Sequence, residues 1–271
     1  MKSINILVIG AGNMGITFAE GMSTSNLLKG SRINVYDISN DRAKEVEAMN
    51  IFKVNTSLKD CLSNADIIFL AVKPYNINAL FESMYPYTNK DQIFVSVMAG
   101  VQIKTIQEGL NVKKVIRSMP NLPAKIGVGL TSFTVSDAVS NSEVFLVERL
   151  LKTTGSAVFV KNEEMIDAST SISGSGPAYV FYFMQAIVEK AMGLGFSEEE
   201  AKKMTIKTFD GAVKLYKKHK ETPNQWIEKV ASKGGTTRAA LDVLEKDNVK
   251  KSIIDAISGA FEKAVELGKA N

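Results

Sequence analysis

The chain of 271 residues is poor in the side chains that carry most protein chemistry. It has one cysteine, Cys61, which excludes an internal disulfide. It has one histidine, His219, so neither a zinc cluster nor a Ser-His-Asp triad is expected, and no metal site is predicted. No run approaches the roughly 18 apolar residues that a membrane span demands. The formal charge of +4 comes from 33 basic and 29 acidic residues spread along the chain, and no dense basic stripe points to nucleic acid. The longest basic run, Lys217-Lys218-His219-Lys220, suits a solvated helix end. Residues 4–9 are almost wholly apolar but too few for a secretory leader, and Gly10, Gly12, Asn13 and Gly15 interrupt the pattern. The expected location is the cytoplasm. With no triad and no metal, any chemistry must draw its reactive group from a cofactor.

What is present is an ordinary soluble composition, 45% hydrophobic and 23% charged, in a chain long enough for two modest domains. Glycine is placed with purpose at two points. Ser232-Lys233-Gly234-Gly235-Thr236-Thr237 runs straight into Arg238-Ala239-Ala240-Leu241. Two glycines let a backbone turn tightly and approach a ligand closely, and Thr236 is a natural N-cap for the helix that follows. Such a loop aims several N–H groups and hydroxyls at one spot on a positive helix end, where a carboxylate or phosphate can bind. Read alone it is first of all a plain Gly-rich turn before a helix, and the rest of the chain tips the balance.

The second point is Gly10-Ala11-Gly12-Asn13-Met14-Gly15, between the β-branched run at 4–9 and a helical pattern over 13–28. This is the G-x-G-x-x-G dinucleotide fingerprint in its confirming context, strand before and helix after. A second strand over 32–36 leads to Asp37, some twenty residues beyond Gly15, where a carboxylate can accept from the adenosine ribose. That favours NAD, but Ser39 and Arg42 follow closely and can hold a 2′-phosphate, so NADPH and NADH both stay open.

Further strands are predicted at 65–72, 92–97 and 114–118. They end in Ala71-Val72-Lys73-Pro74, Met98-Ala99-Gly100 and Met119-Pro120-Asn121. Ligands of open parallel sheets sit beyond the carboxyl ends of the strands, so these segments should line one crevice. Strand-like runs at 127–135 and 156–160 bracket a helix over 143–153 and complete an α/β Rossmann domain, doubly wound and mostly parallel, over residues 1–160. Residues 161–271 read as all-helical. The stretch 178–188 is apolar nearly all round, which demands burial all round. About 110 residues of helix make a meagre core alone, so this half should pack against a copy of itself in a homodimer.

Taken together these segments resemble the pyrroline-5-carboxylate reductase family, and the similarity covers essentially the whole chain. The weakest sign is Gly10–Gly15, shared with many dehydrogenases. Ala71-Val72-Lys73-Pro74 and Arg117-Ser118-Met119-Pro120-Asn121 are stronger, and Ser173-Gly174-Ser175-Gly176-Pro177-Ala178-Tyr179 and Ser232–Thr237 are the most specific. One departure is Lys233, where the family usually carries proline. The resemblance implies a Rossmann domain and an all-α dimerisation domain, often assembled into decamers. It implies hydride transfer from NADPH or NADH to the imine carbon of 1-pyrroline-5-carboxylate, giving L-proline. It also implies that the hydroxyl of Thr237 meets the imine nitrogen.

On this reading Ser232, Gly234, Gly235 and Thr236 bind the substrate carboxylate, and Thr237 orients the nitrogen and relays a proton as the catalytic residue. Gly10, Gly12, Asn13, Met14, Gly15 and Asp37 hold the cofactor with Ala71, Val72, Lys73, Pro74, Met98, Ala99 and Gly100. Asn55 and Asn121 are expected to hydrogen-bond its ribose and nicotinamide. Neither a membrane nor a nucleic acid is an expected partner. Two alternatives share the plan, a β-hydroxyacid or imine reductase and a non-catalytic NAD(P)-binding paralogue.

Overall fold

The computed structural model describes residues 4–25, 28 and 33–269. Its first strand, β1 (Ile6–Ile9), shows why the sequence is apolar without alternation. Ile6 and Val8 enter one apolar layer, and Leu7 and Ile9 enter the layer on the opposite face. A strand covered on both sides must be greasy at every position. The same division holds along β4 (Ile67–Leu70), reached through β2 (Asn34–Tyr36) and β3 (Lys53–Val54), and along β5 (Ile93–Ser96). β6 (Val115–Met119), β7 (Gly129–Val135) and β8 (Gly155–Phe159) complete a sheet ordered β3-β2-β1-β4-β5-β6-β7-β8.

Strands β1 to β6 are parallel throughout, so their carboxyl ends share one edge. β7 runs antiparallel to β6, and β8 parallel to β7. The chain winds one way from β1 to β3 and the other way from β4, which places the switch in direction between β1 and β4. On one face lie α1 (Asn13–Thr24), α2 (Asn40–Ala48) and α6 (Asn141–Leu151), anchored by Phe18, Met22, Val46, Val147 and Leu150. On the other lie α3 (Leu58–Ser63), α4 (Ile77–Met84) and α5 (Ile103–Leu110), anchored by Leu62, Phe81, Met84, Ile106 and Leu110. The two-residue β3 is absent from the sequence reading, being too short to carry a period. Residues 26, 27 and 32 of the expected first helix and second strand lie outside the described residues.

The chain divides into two compact units, Met1–Ser175 with Ala260–Asn271, and Gly176–Gly259. Helix α7 (Glu163–Ser169) belongs with the sheet, because its Ile166 is buried beside Met119 and Val160. The second unit holds α8 (Gly176–Gly193), α9 (Glu198–Lys218), α10 (Pro223–Val230), α11 (Thr236–Lys246) and the start of α12 (Val249–Lys269). Ser197 and Glu200 close a capping box on α9, and Thr222 and Gln225 do so on α10 with Pro223 as first helical residue. Yet no residue of α8 is buried, and only Ala201 and Thr205 are buried in the whole unit.

Candidate active site

The glycines of the first turn divide the work among themselves. Gly10 sits at φ +95°, and a Cβ there would lie 2.7 Å from the Ala71 carbonyl oxygen. At Gly15 a Cβ would run into the Gly10 carbonyl. These two positions are glycine because protein fills the space. Gly12 differs, since a Cβ there would meet nothing within 4 Å. Gly12 is also the N-cap of α1, and no side chain caps the helix. The result is a helix start with free N–H groups beside open space, which fits the pyrophosphate of a dinucleotide.

Topology gathers the remaining cofactor candidates of the sequence reading on the same edge. Asp37 follows β2, Asn55 follows β3, residues 71–74 follow β4, residues 98–100 follow β5, and Asn121 follows β6. Their side chains are differently engaged. Asp37 accepts from Ala11 N–H at 2.6 Å and from Ser39 N–H at 2.9 Å. Asn55 spends its amide donor on Lys53 O at 2.9 Å, with longer contacts to Asn34 and Val35. Lys73 is exposed and forms no hydrogen bond or ion pair among the described residues. The Met98 side chain is buried in the core. Gly100, at φ +74°, is needed where α12 ends, since a Cβ would lie 2.8 Å from that of Leu267.

Asn121 donates to Ser173 Oγ at 3.1 Å and accepts from Leu130 N–H at 2.9 Å. Its amide thus ties the end of β6 to the Ser173–Gly174 segment, a tie that sequence reasoning did not anticipate. That segment, Thr170–Gly174, is a wide π-helical turn following α7, closed by Ser175 N–H donating to Thr170 O at 2.8 Å. Such turns recur at functional sites. A second tie was also missed. Arg117 on β6 is 1% exposed and pairs with Asp167 and with Glu163 at 3.1 Å, both on α7. Glu163 also accepts from Ile103 N–H at the start of α5. One charged residue in the run Val115-Ile116-Arg117-Ser118-Met119 was the available signal, because a buried guanidinium requires a carboxylate nearby.

In the other unit, residues 232–237 form a tight turn with Gly234 at φ +73° and Gly235 N–H donating to Ser232 O at 3.0 Å. The N-cap of α11 is Gly235, which corrects the expectation for Thr236; Thr236 is the first helical residue. Ser232 Oγ would lie 2.6 Å from a Cβ on Gly235, so any other residue would be crowded there. With no side chain capping α11, the N–H groups of its first turn are left for a ligand, beside the Ser232, Thr236 and Thr237 hydroxyls. Arg238 is committed along its own helix to Asp242 at 2.8 Å and Glu245 at 2.7 Å.

Among the described residues no group of three His, Cys, Asp or Glu is placed to hold a metal, and no helix is long and apolar enough to cross a membrane. Residues 163–267 match the family model for pyrroline-5-carboxylate reductase dimerisation, and residues 5–100 match that for NADP oxidoreductase, coenzyme F420-dependent. Pyrroline-5-carboxylate reductase 2 of Bacillus subtilis is 34% identical, with 98% of this chain and 95% of the relative aligned. The solved pyrroline-5-carboxylate reductase of Coxiella burnetii superposes with a TM-score of 0.88 at 30% identity, covering 98% of this chain and 99% of that one. The Plasmodium falciparum pyrroline carboxylate reductase with NADP bound gives the same TM-score at 27% identity, covering 99% of each chain. With both glycine turns in place and likeness running from end to end, this chain belongs to the pyrroline-5-carboxylate reductase family.

Proposed function

We propose that this chain reduces the carbon–nitrogen double bond of 1-pyrroline-5-carboxylate to L-proline with NADPH or NADH, the last step of proline biosynthesis. The observation that carries this reading is the uncapped start of α11 behind the turn at 232–237, in a chain of this family. The substrate is a flat five-membered ring with one carboxylate and one imine, and each needs its own partner. Backbone N–H groups following Gly234 and Gly235, with the Ser232 and Thr236 hydroxyls, supply donors for the carboxylate. The Thr237 hydroxyl orients the imine nitrogen. An alcohol is too weak an acid to store that proton near neutrality, so Thr237 relays one that solvent or the substrate's iminium form provides. Lys233 adds a positive charge to the same loop, where an anionic substrate arrives.

When bound, the dinucleotide supplies the hydride. Gly12, Asn13 and Met14 at the start of α1 face its pyrophosphate, and Asp37 its adenosine ribose. Residues 71–74 and 98–100 support its nicotinamide half, together with Asn55 and Asn121. Residues 1–160 serve the cofactor, and residues 161–271 serve the substrate and dimer formation. The chain works in the cytoplasm as a homodimer assembled into a decamer, with no nucleic acid or membrane partner. The test is consumption of NADH or NADPH, followed at the absorbance of the reduced nicotinamide, on addition of pyrroline-5-carboxylate. Proline should appear in equal amount, and a protein that binds dinucleotide without turning over this imine would overturn the reading.

A further inference from the structure

We infer that the lip of the cofactor site, Asp37 with Ala11, Ser39 and Arg42, selects NADH over NADPH. This rests on the dinucleotide reading of the strand edge, and not on the identity of the imine. The Asp37 carboxylate is fixed by two backbone donors, Ala11 N–H on one oxygen and Ser39 N–H on the other. Each oxygen keeps acceptor capacity, since an ionised carboxylate offers about four acceptor sites. The vicinal hydroxyls of an adenosine ribose bring donors to it. A 2′-phosphate brings only acceptors and a charge of roughly −1.5 to −2.

NADPH would need a cation here, and two of the three nitrogens of Arg42 are already engaged. Arg42 donates through Nε to Ala11 O at 2.7 Å and through a terminal nitrogen to Glu45 at 2.6 Å. Asp37 and Arg42 thereby hold the two polar groups of one residue, Ala11, so the carboxylate and the guanidinium lock each other's place. Ser39 is drawn into the same arrangement, its hydroxyl oxygen capping α2 by accepting from Arg42 N–H at 3.3 Å. Lys125 is a further cation among the described residues. It shares with Arg42 a cavity of about 230 Å³ along α1, and the carboxylate of Glu20 lines that cavity too. Beside Asp37 stands Ile38, 89% exposed, an apolar surface on which a purine can rest.

The test is equilibrium binding of NADH and of NADPH to the full chain at physiological ionic strength, read by the fluorescence of the reduced nicotinamide with no imine present. NADH should bind about tenfold or more tightly than NADPH. Asp37→Asn keeps the shape and removes the charge, and should bring the two affinities to within about threefold. NADPH binding as tightly as NADH to the unaltered chain overturns the inference alone. An unchanged ratio in a folded Asp37→Asn protein also overturns it. Failure of both dinucleotides to bind overturns the cofactor reading beneath it.

Discussion

At Gly12 a methyl group would meet no heavy atom within 4 Å, and at Gly15 it would run into the Gly10 carbonyl. Two alanine substitutions in one turn therefore have opposite signatures. Gly12→Ala should leave urea-unfolding stability within about 0.5 kcal/mol of the parent while weakening dinucleotide binding about tenfold or more. Gly15→Ala should cost roughly 1–3 kcal/mol of stability through overpacking, measured in the same titration. At Thr237 the expectation concerns turnover. Removing one oriented hydrogen bond by Thr237→Ala should lower kcat on the order of tenfold or more in the imine assay, with the fold unchanged by circular dichroism. Turnover at the parent level would remove Thr237 from the mechanism.

Elements are joined here by charges that the strand pattern conceals. β6 and α7 meet through Arg117, Asp167 and Glu163, and Arg117 Nε is buried without a partner among the described residues. Asp167→Ala would leave a buried guanidinium short of its counter-charge, at a cost of roughly 3–5 kcal/mol. Replacing both partners together, Arg117→Met with Asp167→Leu, should cost less than that single change, as urea unfolding would report. The start of α6 carries a second, more exposed pair. Burial alone would raise the Glu143 carboxyl, but the Lys114 ammonium and the Ser140 N–H and hydroxyl together hold it below the ordinary range. A carboxyl depressed in the folded state contributes stability above its unfolded value, near 4.5, and loses it as pH falls through the lower folded value. Glu143→Gln should therefore flatten the acid limb of stability against pH below about 4.5. A limb as steep as the parent's would discard that contribution.

For the molecule as a whole, the second unit is the outstanding feature. Phe181 is 58% and Tyr182 74% exposed on a helix with no buried residue, and two buried residues cannot be the core of a stable unit. The area is to be covered by a second copy. Light scattering in solution should give a mass of two chains or a larger even multiple, and Phe181→Glu should shift it toward the single chain. A parent protein that runs as a single chain at micromolar concentration would count against the assembly. The apolar stretch at 178–188 announced this need from composition alone, whereas the symmetry of the assembly is nowhere in it.

The sequence by itself determined the parts that rest on local physics. Apolar runs marked the buried strands, since a strand covered on both faces has no choice of residue type. Gly10, Gly12 and Gly15 marked the turn. Only tertiary structure decided which of those glycines answer to packing and which to access, because Ala71, which crowds Gly10 and Gly15, comes from far along the chain. It decided that Arg117 has its counter-charges on α7, that Asn121 is held by Ser173 and Leu130, and that Arg42 turns to Ala11 and Glu45. Each of those depends on long-range approach of polar groups whose partners share no period, and a period is what a single sequence makes visible.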